Sequence, residues 1–286
     1  MSQAPPSQAN RGLPIPATYL DELSLWSAPF ALTLLECVPL FSRDSVYLDL
    51  ACGTGAIALE LADRCGRSSR VVAIDCWTNA IERLREKAVF RGLSNLDAVV
   101  GDALCLPMQA ASVDVVTCNL GLNNFSSPAD AVRECRRVCA ADASMIFTTN
   151  VVGHMAEFYD ALRAVLANHD FADPMIEAAL EAHIAHRGTT ESVERLFTDA
   201  GLIVEQRIER EFVLRLATAS AFFDHSLVKL GFLPAWRETL GASADAILRD
   251  VRDELDRASS VHGELRMTVP SLCIVARPAT DDNMVL

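Results

Sequence analysis

The sequence predicts an α/β fold built around a parallel sheet, and three observations support this prediction. From Val46 onward, short apolar or β-branched runs alternate with helical segments, which is the pattern of βαβ units. One of these runs leads directly into a glycine turn and a helix at Leu48–Gly55. The 286 residues are 51% hydrophobic and 22% charged, which is enough apolar material for one large core. We therefore expect a single domain over residues 17–286, after a flexible tail at residues 1–16.

Seven strands are predicted from the apolar and β-branched runs: Val46–Ala51, Arg70–Asp75, Asp97–Val100, Val113–Asn119, Ser144–Asn150, Ile203–Val213 and Ser271–Ala276. The helices between them are predicted from apolar residues at helical spacing and from residues typical of helix ends. Thr78, Ser127 and Thr190 are the expected N-caps, and Pro128 suits the first helical position after Ser127.

Three further stretches are predicted to form a helical cap: residues 17–41, 151–188 and 214–263. In the first, Tyr19–Leu40 is expected to form two short helices, with Pro29 and Pro39 as breakers. The other two follow the fifth and sixth strands, which should run parallel and therefore end at the same edge of the sheet. The cap would enclose a largely apolar chamber at that edge, where ligands bind in open α/β sheets.

Charge and cysteine usage exclude several classes of function. The chain has 25 basic and 38 acidic residues, a net charge of −13, which repels nucleic acid. Its nine cysteines are spread singly, so neither a disulfide framework nor a metal site is expected. No stretch resembles a signal peptide or a membrane span. The expectation is a cytoplasmic protein of undetermined oligomeric state that binds a small molecule.

The glycine turn is the most informative segment. Gly53 and Gly55 allow a ligand to approach the backbone at the start of a helix, where free N–H groups favour an anionic group. Asp75, twenty residues after Gly55, is placed to accept hydrogen bonds from two ribose hydroxyls. These features indicate a nucleoside cofactor. A dinucleotide such as NAD or a flavin stays open, because Gly53-x-Gly55-x-x-Ala58 also fits that fingerprint.

Further motifs in order along the chain resemble those of class I S-adenosylmethionine-dependent methyltransferases, particularly the ubiquinone/menaquinone-biosynthesis-like (methyltransferase type 11) group. The resemblance covers roughly Val46 to Leu202. It is carried by D-x-A-x-G-x-G at Asp49–Gly55, the acid at Asp75, G-D-A-x-x-L-P at Gly101–Pro107, S-x-D-x-V at Ser112–Val116 and D-A-G-L at Asp199–Leu202. It implies a Rossmann-like seven-stranded sheet whose last strand is antiparallel, and S-adenosyl-L-methionine as the cofactor.

The resemblance also implies a role for each cofactor-binding residue. Asp49 would lie near the amino group of the cofactor, and Asp75 would bind the ribose. The remaining positions would contact the methionine portion (Ala51, Gly53, Gly55), the adenine face (Cys76, Trp77), the adenine amino edge (Asp102, Ala103) and the neighbourhood of the sulfonium (Asn119, Leu120). Trp77 departs from the small residue that this position often holds.

The acceptor is less defined, because methyl transfer from a sulfonium needs positioning but no universal base. The sequence favours a small organic biosynthetic intermediate methylated on a hydroxyl or carboxylate oxygen. C-methylation of a quinone-like ring and methylation of a peptide or carrier-protein-bound acceptor stay open. A different class of protein also stays open, namely a regulatory protein that binds the nucleoside without catalysis. The turn after the fourth strand, 119–124, lacks the N-P-P-Y-like sequence of amino-methylating enzymes.

His154 is the predicted catalytic residue, because it follows the fifth strand by four residues and should lie at the ligand-binding edge. There it would take a proton from an acceptor hydroxyl. His225 is a second candidate, whereas His183 and His186 are expected on a polar helix face. Three arginines near the sixth strand are expected to pair with glutamates of that strand rather than bind a carboxylate or phosphate. The arginines are Arg207, Arg210 and Arg215, and the expected partners are Glu205, Glu209 and Glu211.

Overall fold

Seven strands form a single sheet in the computed structural model, which describes residues 17–22, 24–168 and 174–279. They are β1 Val46–Leu50, β2 Arg70–Asp75, β3 Leu96–Val100, β4 Val113–Asn119, β5 Cys139–Asn150, β6 Leu202–Leu216 and β7 Leu265–Pro278. The order across the sheet is β3-β2-β1-β4-β5-β7-β6. β7 runs antiparallel to β5 and β6, and the other pairs are parallel. The predicted fold class is confirmed, including the antiparallel last strand.

The helices fall between and beyond these strands. They are α1 Ala17–Glu22, α2 Ser24–Cys37, α3 Ala56–Arg64, α4 Thr78–Arg91, α5 Pro128–Val138, α6 Ala156–Asn168, α7 Pro174–Ala185, α8 Thr190–Asp199, α9 Ala219–Asp224, α10 Leu233–Leu240 and α11 Ala244–His262. A π-helical segment, Val228–Phe232, leads into α10. The predicted tail at residues 1–16 lies outside the described residues, and a single domain over 17–286 stays a prediction.

Helix ends were predicted closely, with three corrections. Ser127 caps α5 as expected, accepting a hydrogen bond from the Asp130 N–H. Trp77 holds the N-cap position of α4, so Thr78 is its first residue. Thr189 caps α8 instead of Thr190, because Thr189 and Ser192 have the three-residue spacing of a reciprocal capping box. Pro29 lies inside α2 and does not break it.

The last two strands are longer than predicted. β6 and β7 pair along their whole length, from Leu202 opposite Pro278 to Leu216 opposite Leu265. β6 extends beyond the predicted strand by residue 202 and residues 214–216, and β7 by residues 265–270 and 277–278. Its hydrogen bonds to β7 extend it, which is a long-range effect that a local pattern does not show.

The sheet packs against helices on both faces. One face packs against α2, α3 and α4 through a buried cluster that includes Leu34, Leu61 and Leu84. The other packs against α5 and α8 through residues such as Val132 and Phe197. This arrangement leaves the carboxyl ends of the parallel strands at one edge.

A third buried cluster joins the predicted cap elements. It contains residues of α6, α7, α9, α10 and α11, and Trp26 of α2 packs against it. Phe158 and Trp236 stack at its centre with ring centroids 3.8 Å apart. The helical cap is therefore confirmed as part of the fold. In the part of the chain that the structure describes, no helix is both long and apolar enough to cross a membrane.

Candidate functional site

A cavity of about 590 Å³ opens at the carboxyl ends of β1 and β4. Its walls include the glycine turn, helices α1, α2 and α4, and the residues that follow β4. The lining residues are Asp21, Trp26, Ser27, Asp49, Ala51, Cys52, Gly53, Thr54, Ala56, Ile57, Leu59, Lys87, Arg91, Asn119, Leu120 and Leu227. The volume lies within the range of small-molecule sites.

The backbone at this edge adopts conformations that are costly for residues with a Cβ. Ala51 after β1, Leu120 after β4 and Met155 after β5 have φ of 54°, 62° and 53°. Left-handed non-glycine residues tend to cluster where a binding site needs them. At Gly55, φ is 89° and an added Cβ would lie 2.2 Å from Leu84 Cδ1, so glycine is required there. The strand ends are thus shaped for close approach of a ligand.

Asp49 supplies a buried carboxylate to the cavity and is only 1% exposed. Its Oδ1 accepts a hydrogen bond of 2.9 Å from Thr117 Oγ1. Its Oδ2 is buried and has no hydrogen-bond partner among the described residues. Burial raises the pKa of Asp49 to about 7, although the bond from Thr117 opposes this shift. A ligand cation at Oδ2 would satisfy this atom and favour the ionised form.

Asp75 holds the glycine turn in place. Its Oδ2 accepts from the Gly53 N–H and its Oδ1 from the Trp77 N–H, each at 2.8 Å. A carboxylate oxygen has two lone pairs, so each oxygen can still accept from a ribose hydroxyl. Asp75 therefore joins the ends of β1 and β2 in one hydrogen-bonded unit.

The structure brings together some of the predicted cofactor residues. Those that line the cavity are Asp49, Ala51, Gly53, Asn119 and Leu120. The others lie outside its lining: Gly55, Asp75, Cys76, Trp77, Asp102 and Ala103. Cys76 and Asp102 are exposed at the ends of β2 and β3. The cavity is thus lined by residues that were predicted to contact the methionine portion and the sulfonium, and the role of each residue stays a prediction.

Asp21 on α1 is a site residue that the sequence did not indicate. It accepts hydrogen bonds from Thr54 Oγ1 at 2.7 Å, Arg83 Nε at 3.0 Å and Lys87 Nζ at 2.7 Å. Burial raises the pKa of Asp21, but these hydrogen bonds outweigh it and lower the pKa overall. The bonds fix α1 against the glycine turn and α4. An isolated acid 33 residues before Thr54 carries no sequence signal for this contact.

The predicted base, His154, lies deeper in the cap than its sequence position suggested. It is 2% exposed, and its ring packs against Trp26 and Phe232, with centroids 5.3 and 5.4 Å away. Burial, together with the charge of Arg187, lowers its pKa well below the ordinary value. It is therefore neutral near pH 7, the form that a base needs. His154 does not line the cavity, but Trp26 lines the cavity and also contacts His154. The catalytic role of His154 stays a prediction.

The other candidate groups are accounted for by structural contacts. His225 Nδ1 accepts from the Leu227 N–H at 3.2 Å, and His186 Nε2 lies 2.7 Å from the Asn123 carbonyl oxygen. Three arginines near β6 form ion pairs, as expected, but only Glu209 is a predicted partner. The pairs are Arg207 with Glu194 and Glu209, Arg210 with Glu36, and Arg215 with Glu264. Over the described ranges, no three histidine, cysteine or acidic side chains come together as a metal site would require.

Comparison with known proteins gives a consistent picture. Residues 48–147 match the family model described as "Methyltransferase domain". A demethylmenaquinone methyltransferase of Lactococcus lactis subsp. lactis (strain IL1403) is 34% identical over 91 residues, which are 32% of this chain and 36% of that protein. The match therefore spans about a third of that relative's length.

Solved structures show the same fold at low identity. YcgJ protein from Bacillus subtilis aligns with a TM-score of 0.57 and 18% identity, over 88% of this chain and 99% of that chain. A SAM dependent methyltransferase from Aquifex aeolicus aligns with a TM-score of 0.51 and 18% identity, over 68% of this chain and 93% of that chain. Residues 48–147 thus resemble a methyltransferase domain, and the described chain shares its fold with these solved structures.

Proposed function

We propose that this protein is an S-adenosylmethionine-dependent methyltransferase acting on a small organic acceptor. The observation that carries the proposal is the buried carboxylate of Asp49, a residue that lines the cavity at the strand ends and whose Oδ2 has no hydrogen-bond partner among the described residues. Such atoms are rare in native proteins because each one costs about 1–3 kcal/mol. A ligand that carries a cationic group beside a nucleoside fits this site.

The cofactor matches the chemistry of the residues present. Its ammonium group would meet Asp49, and its ribose hydroxyls would donate to Asp75. The glycine turn around Gly53 leaves room for the methionine portion, and Asn119 and Leu120 would bound the space beside the sulfonium. The adenine would rest against the exposed ends of β2 and β3, at Cys76, Trp77, Asp102 and Ala103. When bound, the cofactor supplies a methyl group on a positively charged sulfur whose departure leaves a neutral thioether.

The protein's own contribution to the reaction is positioning and exclusion of water. The aromatic cap over the strand ends holds an acceptor close to the sulfonium position, which lowers the entropic part of the barrier. We propose oxygen of a hydroxyl or carboxylate as the methyl-accepting atom, with neutral His154 taking the proton of a hydroxyl. A peptide or carrier-protein-bound acceptor would have to reach the same edge.

C-methylation of a quinone-like ring is the second candidate. It is favoured by the demethylmenaquinone methyltransferase relative, whose match covers 32% of this chain. Such an acceptor is apolar and planar, so the Trp26 ring that lines the cavity suits it as well.

Two measurements test the proposal. Calorimetry with S-adenosylmethionine, S-adenosylhomocysteine and NAD separates a methyltransferase from a dinucleotide enzyme, and we expect binding of the first two only. Incubation with quinols, phenols and carboxylic acids, followed by mass spectrometry, identifies the methylated product. Cofactor binding without transfer to any acceptor would instead support a regulatory protein. Binding of NAD alone would refute the proposal.

A further inference from the structure

A cluster of cationic and imidazole side chains lies in the cap beyond the ends of β4 and β5. It consists of His154, His183 and Arg187, which we call the His–Arg cluster. His183 belongs to α7, Arg187 belongs to the turn that follows α7, and His154 belongs to the loop after β5. The Val152 N–H donates to the Gly188 carbonyl oxygen at 2.9 Å, which ties these two segments together.

The turn that carries Arg187 is also fixed to the strand ends. His186 Nε2 lies 2.7 Å from the Asn123 carbonyl oxygen, and Asn123 Nδ2 donates to Asn150 Oδ1 at 2.7 Å. Asn123 follows β4 and Asn150 ends β5. The His–Arg cluster therefore has a defined position relative to the proposed methyl-transfer site.

Two side chains of the cluster are buried, His183 is half-buried, and three of the four imidazole nitrogens lack a partner among the described residues. His154 is 2% exposed and Arg187 is 8% exposed. Both ring nitrogens of His154 and Nε2 of His183 are buried without a hydrogen-bond partner among the described residues. Buried polar groups are nearly always hydrogen-bonded in native proteins. Three such atoms in one neighbourhood point to a ligand that satisfies them.

The surroundings determine which ligand fits. The Arg187 guanidinium lies 5.8 Å from the Phe232 ring centroid, and the same ring packs against His154. Burial and the charge of Arg187 keep both imidazoles neutral, lowering the pKa of His183 to about 4. A neutral imidazole offers one N–H donor, so the cluster has one positive charge and several donors among aromatic walls. This set matches one carboxylate, whose two oxygens accept from a guanidinium and an imidazole.

Trp26 connects the His–Arg cluster to the cavity. Its side chain lines the cavity, and its ring contacts both His154 and Phe212. Trp26 therefore borders both the cavity and the His–Arg cluster, so an acceptor in contact with this ring would lie next to both.

We propose that the methyl acceptor carries a carboxylate that binds at the His–Arg cluster as an anchor, while a different atom of the acceptor receives the methyl group. This inference rests on the proposed function and specifies its substrate class. Arg187 and His183 are positioning residues in it. For an acceptor bound in this way, His154 donates to the carboxylate, and this anchoring role replaces its role as the base.

The first experiment compares an acid with its neutral counterpart. Calorimetry measures binding of 4-hydroxybenzoate and of 4-hydroxybenzamide to the full chain saturated with S-adenosylhomocysteine. We expect the acid to bind at least about tenfold more tightly than the amide. Arg187→Gln should abolish this preference and Arg187→Lys should retain part of it. Arg195→Gln, an exposed arginine on α8, should leave it unchanged. Equal binding of acid and amide by the wild-type protein would overturn the proposal. Tighter binding of phenyl phosphate than of 4-hydroxybenzoate would also overturn it, because the anchor would then recognise a phosphate.

The second experiment does not depend on a folded variant. Addition of 4-hydroxybenzoate to the wild-type protein should shift the ring ¹⁵N resonances of His154 and His183 and leave those of His225 in place. Unchanged resonances at saturating acid would refute the assignment. Titration with S-adenosylhomocysteine alone keeps the two proposals separate. If S-adenosylhomocysteine does not bind, the methyltransferase proposal is refuted. If it binds but the protein does not prefer 4-hydroxybenzoate to 4-hydroxybenzamide, only the carboxylate anchor is refuted.

Discussion

Two regions of the molecule bury polar groups with opposite consequences for the charge that they favour: the cap and the proposed cofactor edge, which comprises Asp49, Gly53 and Asp75. At the cofactor edge, burial raises the pKa of Asp49 to about 7, and its free oxygen suits a cation. In the cap, burial lowers the pKa of His154 well below its usual value, and the neighbouring Arg187 suits an anion. The two regions meet at Trp26. The comparison suggests that one site recognises two ligands by complementary charge, each at its own end.

The two regions also differ in how the sequence encodes them. The cofactor edge consists of consecutive residues around one glycine turn, joined to the end of the next strand by Asp75. The cap is assembled from segments more than a hundred residues apart, such as α2 and the residues around Phe232. We therefore expect variants in the cap to change stability and acceptor binding, and variants at the edge to change cofactor affinity.

The largest expected effect comes from the centre of the cap. Trp236 is 1% exposed, stacks on Phe158 and donates a hydrogen bond to the Tyr159 hydroxyl. Trp236→Ala should lower the free energy of unfolding by about 3–5 kcal/mol, measured by urea denaturation. Phe90→Ala is a matched control, because Phe90 is an aromatic residue 92% exposed on α4, and it should cost less than about 0.5 kcal/mol. If the folded Trp236→Ala protein also lost cofactor binding, the two regions would not be separable.

The second effect concerns turnover. If His154 takes a proton from the acceptor, His154→Ala should lower kcat about 10²-fold while leaving S-adenosylhomocysteine affinity unchanged. Because its pKa is lowered by burial and by Arg187, the rate should rise with pH below the ordinary histidine range and stay level above it. A raised KM with an unchanged kcat would contradict the base role and assign His154 to acceptor binding instead.

Particular residues show how far the sequence predicts this molecule. The ends of β2 and β4 were predicted residue for residue, because both are buried β-branched runs bounded by polar turns. The last residues of β6, 214–216, and the first residues of β7, 265–270, were missed, because they pair with each other across a long stretch of intervening chain.

The candidate site follows the same division. Asp49, Gly53 and Asp75 were found from a local motif, whereas Asp21 and Arg187 were missed because each reaches the site from a distant helix or turn. His154 was placed at the correct strand end. Its burial behind Trp26 depends on α2, about 130 residues earlier in the chain, which a local pattern cannot show.

The third prediction addresses the cofactor edge. Asp75→Ala should weaken binding of S-adenosylhomocysteine by about 1.5–3 kcal/mol, because two ribose hydroxyls lose a charged acceptor. Asp97→Ala removes an acid from the neighbouring strand β3, where it pairs with Arg70 on the surface, and should have no effect on affinity. Equal affinities in calorimetry for the wild-type and Asp75→Ala proteins would exclude Asp75 from the site.

The smallest effect is the pH dependence at Asp49. In the cofactor-free protein its pKa is about 7, whereas it is near 3.8 in an unfolded chain, so the folded state holds the proton more tightly. Its contribution to stability is therefore complete below about pH 4 and is lost as the pH rises through about 7. A bound ammonium group reverses this preference, because it favours the carboxylate.

Cofactor affinity should accordingly increase with pH up to about 7 and level off above it, by at most about tenfold per pH unit. Calorimetry between about pH 5.5 and 7.5, in two buffers of different ionisation enthalpy, measures both the affinity and the proton released. Asp49→Asn cannot ionise, so it should bind the cofactor more weakly and release no proton at any pH. Parallel profiles for the two proteins would mean that Asp49 does not face the ammonium group, and the charge complementarity at this end of the site would have to come from another acid.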